Sequence, residues 1–472
     1  MATMAQVGGG SLKGKVSDKK SGEPLPFVNI AVENRGTLVS GGTTDFDGNY
    51  DIRPIDPGTY DLTVTYIGYQ PIKQTGVVIN SNRITFLDFN MNQGIELKEF
   101  EVIKYQVPLI QKDGGASGGT VTREDIAKMP SRSAASIATT VAGASDAGTG
   151  GGISIRGART ENTYYYIDGV KVPAGAGTGL PKSAIEEVQV ITGGVPANYG
   201  DVTGGVINVT TRGPSRSFFG SLEYLTSGYK IGDDITDVVG LDKYAFNQLD
   251  GSLSGPIFFK KDSVGNKTKP LLGFFLSAQV SDIVDESPLY LGDVRVNKAK
   301  RDELRAAPLR VIQLGQDESV VYNSDYLRES DLEYLDTRQN ARNNSYLATA
   351  KFDITTTPTI NLTLGGSFQL ANNLAYSRNN SLLNAENNGQ ARNLTWRTFL
   401  RFTQRFNARD EGEAAGARKA TIKNAFYSVQ LDYSRNATKS EDPDLRDDVW
   451  RYGYLGKYTT YQMNNYTLAV DP

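Results

Sequence analysis

The chain has 472 residues, a length that predicts about three domains. Basic residues number 50 and acidic residues 53, so the net charge of −3 offers no basic surface for nucleic acid. Cysteine and histidine are both absent, which argues against a disulfide framework, an ordinary zinc site, a cysteine nucleophile and a Ser-His-Asp triad. We therefore expect no enzyme, no cofactor and no metal site.

Short β-branched runs fill residues 11–93, after an N-terminal tail at residues 1–10. Turn signals separate these runs every eight to twelve residues or so, which is the spacing of an all-β sandwich. Asp47-Gly48 and Pro57-Gly58 are two of the turns, and residues 60–66 alternate as a half-buried strand does. The first region is therefore predicted to be a β-sandwich.

Residues 94–119 change in composition and end in a glycine-rich run, which predicts a flexible linker. Within it, Glu99, Phe100, Glu101, Val102 and Ile103 form a short β-prone stretch. Two interpretations stay open on these residues alone. The stretch is either a strand that adds to the edge of a partner's sheet, or a plain linker or last strand of the sandwich.

Residues 120–213 mix helix and strand signals and predict an α+β domain. Thr122 followed by Asp125 marks a helix start, and residues 133–141 predict a second short helix. Strands are predicted at residues 152–156, 163–167, 187–192 and 204–211.

Beyond Pro214 the sequence predicts longer strands that alternate apolar and polar residues, with tyrosines near their ends. In Ala425–Tyr433, for example, Tyr427, Val429 and Leu431 share one face. Short and long connections also alternate between the strands, as in outer-membrane barrels. The alternative is a large soluble antiparallel sheet.

Four ordered segments then carry a family resemblance: residues 154–157, 166–170, 185–190 and 199–211. In this order and spacing they resemble the plug domain of TonB-dependent outer-membrane receptors. The matching motif residues are Arg156, Gly157, Asp168, Gly169, Glu187, Tyr199, Gly200, Gly204 and Gly205. Residues 22–28, 44–48 and 66–69 resemble the carboxypeptidase-regulatory-like domain that precedes the plug in Bacteroidota receptors.

The resemblance implies a nutrient receptor of the outer membrane, with its N-terminal domain in the periplasm. It identifies residues 99–103 as the TonB box and implies TonB, ExbB and ExbD as partners, with a surface lipoprotein lid as a further possible one. The imported substrate would be a glycan, a peptide or a chelate. Plug loops are expected to face it through Arg159, Asn162, Lys171 and Lys182.

Two motif residues receive more specific predictions. Arg156 is expected to be a buried latch that pairs with barrel carboxylates. The dipeptide Asp168-Gly169 is expected to form a turn rather than a ligand site.

The predicted fold class is mostly β: an N-terminal β-sandwich, an α+β plug domain and the first strands of an incomplete transmembrane β-barrel. Residues 214–472 hold about seven strands, whereas receptors of this kind have about 22. We therefore expect a truncated chain or a fragment. The alternative function is a non-transporting cell-surface β-sandwich protein for binding or adhesion, which would leave the ordered plug motifs unexplained.

Overall fold

A computed structural model describes residues 9–34, 37–94, 101–105, 116–148, 152–172, 178–200, 202–215, 217–230, 237–261, 267–314, 317–357, 359–406, 425–442 and 444–451. Most of these residues lie in strands, arranged in three successive regions. The fold class predicted from the sequence is confirmed.

The N-terminal domain is a sandwich of two sheets around an apolar core. Its strands are β1 (Gly10–Asp18), β2 (Asn29–Asn34), β3 (Thr37–Thr43), β4 (Asn49–Ile55), β5 (Gly58–Thr65), β6 (Ile72–Ile79), β7 (Ile84–Phe86), β8 (Phe89–Met91) and β9 (Glu101–Lys104). One sheet has the order β4-β1-β7 with β8 also on β1, and the other has the order β3-β2-β5-β6-β9. Leu12, Ile30 and Leu62 are fully buried between the sheets because alternate residues of each strand face inward.

A mixed α/β domain follows, which we call the central domain (residues 117–213). Its elements are β10 (Ser117–Thr122), α1 (Arg123–Lys128), α2 (Ala134–Ala138), β11 (Ala144–Asp146), β12 (Ile153–Ile155), β13 (Thr163–Ile167), β14 (Val170–Val172), β15 (Ile185–Gly193) and β16 (Gly205–Thr211). The main sheet has the order β10-β15-β16-β13-β14, and β11 pairs with β12. Helix α1 begins as predicted, since the Thr122 hydroxyl donates to the Asp125 carboxylate at 2.7 Å.

Strand β10 corrects the predicted linker, because residues 117–119 belong to the sheet of the central domain. Gly118 pairs with Ile191, and its φ of +145° is open mainly to glycine. A Cβ atom at this position would lie 1.9 Å from the Val190 carbonyl oxygen. These glycines therefore allow close strand approach instead of providing flexibility.

The third region is a seven-stranded antiparallel sheet in the order β17-β20-β21-β26-β27-β28-β29. Its strands are β17 (Phe219–Thr226), β20 (Phe246–Lys261), β21 (Lys267–Ile283), β26 (Asn343–Thr357), β27 (Ile360–Leu374), β28 (Gln390–Phe406) and β29 (Ala425–Glu441). Strands β18 (Gly228–Tyr229) and β19 (Val239–Gly240) form a small hairpin before β20. The long connection between β21 and β26 contains β22 (Asp293–Val296), α3 (Lys298–Ala306), β23 (Leu309–Leu314), β24 (Asp317–Tyr322) and β25 (Leu332–Leu335).

In the seven-stranded sheet the exposed face is apolar and the buried face is polar, which is the reverse of the arrangement in a water-soluble protein. Along β20, Gln248, Asp250, Ser252 and Ser254 are buried, whereas the alternating Leu249 and Leu253 are exposed. Exposed apolar side chains continue this band on the other strands at Leu222, Leu276, Val280, Leu364, Phe368, Leu400, Val429 and Leu431. An apolar outer face with polar residues inside is what a barrel wall in lipid requires.

Candidate functional site

The two residues between β13 and β14 form a tight hairpin turn. Asp168 has a φ of 50° and Gly169 a φ of 83°, so both lie in the left-handed region that such two-residue turns need. The predicted turn is confirmed. Its aspartate also faces inward, where the carboxylate accepts hydrogen bonds from the Thr211 backbone N–H at 3.0 Å and from the Thr211 hydroxyl at 2.6 Å.

Three strands of the seven-stranded sheet bind this turn. Lys351 of β26 donates from Nζ to the Asp168 carboxylate at 3.0 Å and to the Thr211 carbonyl at 2.9 Å. The Asp168 carbonyl accepts from Arg401 of β28 at 2.9 Å and from Gln430 of β29 at 3.4 Å. We call these five residues the Asp168 network.

The ion pair at the centre of the network is shielded from water. Side-chain exposure is 9% for Lys351 and 7% for Asp168. A buried ion pair gains little net stability from its mutual attraction, because both charges lose hydration. Removing one partner is nevertheless costly, since the other charge then stays buried without compensation. The pair therefore joins the central domain to β26 at one defined position.

Other contacts between the central domain and the sheet are polar as well. Ser183 lies 2.6 Å from Ser277 of β21, hydroxyl to hydroxyl, and the Gly179 N–H donates to Gln369 of β27 at 3.1 Å. Near the start of the sheet, the Arg132 guanidinium donates to Glu223 of β17 at 2.6 Å. Hydrogen bonds and ion pairs thus fasten the central domain at several separate strands.

The sequence predicted that Arg156 is buried and pairs with carboxylates of the barrel. The structure does not place Arg156 in such a pair. Arg156 is exposed, and its guanidinium donates to the Ser117 hydroxyl at 2.7 Å within the central domain. Its neighbour Gly157 is exposed too. Within the described residues the buried ion pair to the sheet is made by Asp168 instead. Lys351 was missed because a lysine in an alternating strand gives no local sign of a partner about 180 residues away.

Glu187 and Tyr199 lie against the N-terminal domain. The Glu187 carboxylate is buried and accepts from the Ser81 backbone N–H at 2.9 Å and from the Thr210 hydroxyl at 3.2 Å. Burial raises the pKa of Glu187 to about 7, against the opposing effect of these hydrogen bonds. The Tyr199 ring packs edge-on against Tyr166 with a centroid distance of 5.0 Å.

Of the motif glycines, Gly205 has the most restricted surroundings. An added Cβ would lie 2.5 Å from Ile155 Cδ1 and 2.8 Å from the Ile191 carbonyl oxygen, whereas nothing lies within 4 Å of the same position at Gly200. Gly204 is also enclosed, with the Asn162 carbonyl 2.6 Å from its added Cβ.

We expect Gly205→Ala to lower the free energy of unfolding of the central domain by about 1–3 kcal/mol, because the added methyl overpacks the sheet. Two measurements on the full chain in detergent report this loss: the thermal unfolding temperature and the hydrogen exchange of β15 and β16. Gly200→Ala is the matched control and should leave both readouts unchanged. Equal effects of the two substitutions would contradict the assigned packing role.

The predicted substrate-facing residues do not form one cluster. Arg159 is exposed and Asn162 half-buried at the 3₁₀ turn Thr160–Asn162, and Lys171 is exposed with its ammonium 4.2 Å from the Tyr164 ring centroid. Lys182 instead donates to the Met129 carbonyl at 2.7 Å, inside the central domain.

The proposed TonB box is only partly described, since Glu99 and Phe100 lie outside the described residues. Glu101, Val102 and Ile103 belong to β9, which pairs in parallel with β6 at the edge of a sandwich sheet. In this structure they therefore form a last strand of the sandwich, one of the two interpretations that the sequence left open. Within the described ranges, no group of three or more His, Cys, Asp or Glu side chains could hold a metal ion, and no helix there is long and apolar enough to cross a membrane.

The structure combines a sandwich domain, a central domain fastened by polar contacts and a sheet with an apolar outer face, which is the architecture expected of a plugged barrel receptor. Two domain families match the chain accordingly. The carboxypeptidase regulatory-like domain matches residues 11–92, and the TonB-dependent receptor plug domain matches residues 110–206. Residues 110–206 thus match the plug domain of TonB-dependent receptors, as the motifs predicted; we refer to the central domain as the plug from here on.

Individual proteins show the same similarity over part of their length. The TonB-dependent transporter Oar of Myxococcus xanthus is 28% identical over 228 residues, and the TonB-dependent receptor P3 of Formosa agariphila is 30% identical over 217 residues. These alignments cover 44% and 43% of this chain and 21% and 20% of those proteins. The chain spans about a fifth of the length of the curated relatives that it matches. Both relatives are named as receptors or transporters rather than as enzymes.

Among solved structures, the siderophore receptor PirA from Pseudomonas aeruginosa is similar at 17% sequence identity. The superposition has a TM-score of 0.41 and covers 69% of this chain and 42% of the PirA chain.

Proposed function

We propose that this chain acts in TonB-dependent import of a nutrient across the outer membrane, with its plug closing the barrel until TonB rearranges it. The observation that carries this proposal is the Asp168 network, which holds the plug to strands β26, β28 and β29. Hydrogen bonds of this kind exchange with water at small net cost. A plug seated on them is held firmly and is still releasable, as a gate must be.

The proposed domain organisation follows the sequence analysis with one change. Residues 1–10 form a tail, 11–93 the regulatory-like domain in the periplasm, and 214–472 the wall of the barrel. Because β10 starts at Ser117, the linker with the TonB box ends at residue 116 and the plug takes residues 117–213. The matches to the two domain families at residues 11–92 and 110–206 support this division.

The proposed partners are TonB with ExbB and ExbD, and a lipoprotein lid at the surface. A glycan, a peptide or a chelate is the proposed substrate. Arg159 and Lys171 are exposed on the plug and so are available to touch it, whereas Lys182 is occupied by the Met129 carbonyl.

Cysteine cross-linking in cells tests the TonB contact directly, because the chain has no native cysteine. We expect Val102→Cys in the full chain to form a disulfide with a cysteine placed in the periplasmic domain of TonB. Ile67→Cys is the matched control, since Ile67 is 97% exposed on the N-terminal domain and lies outside the proposed box. Absence of a TonB adduct at every position from 99 to 103 would contradict the proposal.

A further inference from the structure

The N-terminal domain contacts the plug through the turn that joins β6 to β7. Three successive residues of this turn each donate to a different plug residue. The Ser81 N–H donates to Glu187 at 2.9 Å, and the Asn82 amide donates to the Tyr199 hydroxyl at 3.5 Å.

The third donor is Arg83. With the Gln189 side-chain oxygen turned toward it, Arg83 donates from Nε at 2.8 Å. In all three contacts the turn supplies the donor and the plug supplies the acceptor. Complementarity of this kind fixes the register of two surfaces.

The residues that form this contact are buried. Ser81 is 2% exposed, and Glu187, Gln189 and Tyr199 are 3%, 5% and 6% exposed. A second turn of the N-terminal domain lies nearby, because a Cβ atom at Gly58 would be 3.6 Å from the Glu186 carboxylate. Buried polar groups need their partners, so separating the two domains would leave Glu187 without one of its two donors.

We propose that residues 81–83 are a docking surface that seats the N-terminal domain on plug strand β15 as a cap. The cap is thereby held by its own contacts and not merely by the linker. Strand β6 leads directly into this docking surface and also pairs with β9 through Ile72–Thr75. If the TonB function proposed above holds, β6 connects the TonB box in β9 to the docking surface. A pulling force on β9 is then transmitted through β6 to residues 81–83.

Cross-linking measures the docking without substrate or TonB, so its result is independent of the proposed import. In the full chain in outer membranes, we expect Asn82→Cys with Tyr199→Cys to be bridged by a short thiol-reactive cross-linker. The control pair is Ile67→Cys with Tyr199→Cys. It joins the same two domains, but Ile67 is 97% exposed and lies outside the docking surface. Docking predicts a yield roughly tenfold above the control, because it raises the effective concentration of one pair only. Equal yields would overturn the proposal.

Hydrogen exchange gives a second measurement that needs no cysteine. We expect the Ser81 amide to be protected in the native chain and to lose that protection in Glu187→Ala. Thr210→Val is the matched control, since it removes the other hydrogen bond to the same carboxylate from the plug side. A Ser81 amide that stays equally protected in Glu187→Ala would overturn the role of Glu187.

Discussion

Replacing Lys351 with methionine is expected to weaken the seating of the plug by about 3–5 kcal/mol, which is the usual cost of removing one member of a buried ion pair. The Asp168 carboxylate would then remain buried with Thr211 as its donor. Methionine keeps much of the side-chain volume, so the loss reports the charge rather than a cavity. Hydrogen exchange of the β13–β14 hairpin, measured on the full chain in outer membranes, quantifies the weakening.

Two controls separate this effect from general damage to the sheet. Adding Asp168→Asn to Lys351→Met should recover part of the loss. Asparagine tolerates the left-handed turn, and it leaves no unpaired charge buried at this position. Arg305→Ala breaks the exposed pair with Glu386, and we expect a change below about 1 kcal/mol. If Lys351→Met left hydrogen exchange in the β13–β14 hairpin unchanged, the role of the Lys351–Asp168 pair in seating the plug would be contradicted.

The stability of the folded chain at Glu187, which lies between the N-terminal domain and the plug, is expected to fall as the pH rises from about 4.5 to about 7. Burial raises the pKa of Glu187 from 4.5 to about 7, so the folded state favours the neutral acid. Below about pH 4.5 the folded and the unfolded chain both bind the proton, and the stabilisation is complete. Between pH 4.5 and 7 only the folded state keeps it, so stability falls with rising pH and the stabilisation is lost above about pH 7.

The size of this effect is about 3 kcal/mol, since each pKa unit corresponds to about 1.4 kcal/mol. Glu186 on the same strand opposes ionisation of Glu187, Arg83 across the interface favours it, and Tyr199 also faces the carboxyl. Protection of the Ser81 amide, corrected for intrinsic exchange at each pH, is the measurement. Glu187→Gln should remove the pH dependence, and a Glu187→Gln chain that keeps the native slope would contradict this assignment.

Periodicity predicted the strands well where one face is apolar and the other polar. The sequence predicted about seven strands beyond Pro214, and the large sheet has seven, but β29 extends beyond the alternating stretch Ala425–Tyr433. The extension is polar on both faces, as at Arg435 and Asn436. The alternation of apolar and polar residues ends there, whereas the backbone hydrogen bonds between strands continue.

The errors have a shared physical cause, which is that long-range contacts leave little local trace. Gly118 looks like a linker residue until β15 is placed beside it. Arg156 carries a motif signal and yet bonds within the plug, while Asp168 binds strands that begin more than 170 residues later. The turn at Asp168 was predictable from its dipeptide, but the partners of its carboxylate were not.

The position of β10 in the plug sheet has a mechanical consequence. It is an outer strand with β15 as its one neighbour, and it is the first strand of the plug along the chain. Tension that enters from the N-terminal side therefore loads six residue pairs, beginning at an irregular register between Ser117 and Gly118. Pulling β10 away from β15 breaks these pairs and leaves the ladders among β15, β16, β13 and β14 intact. Unravelling of the plug thus starts at its N-terminal edge, and the remaining four strands form the more resistant core.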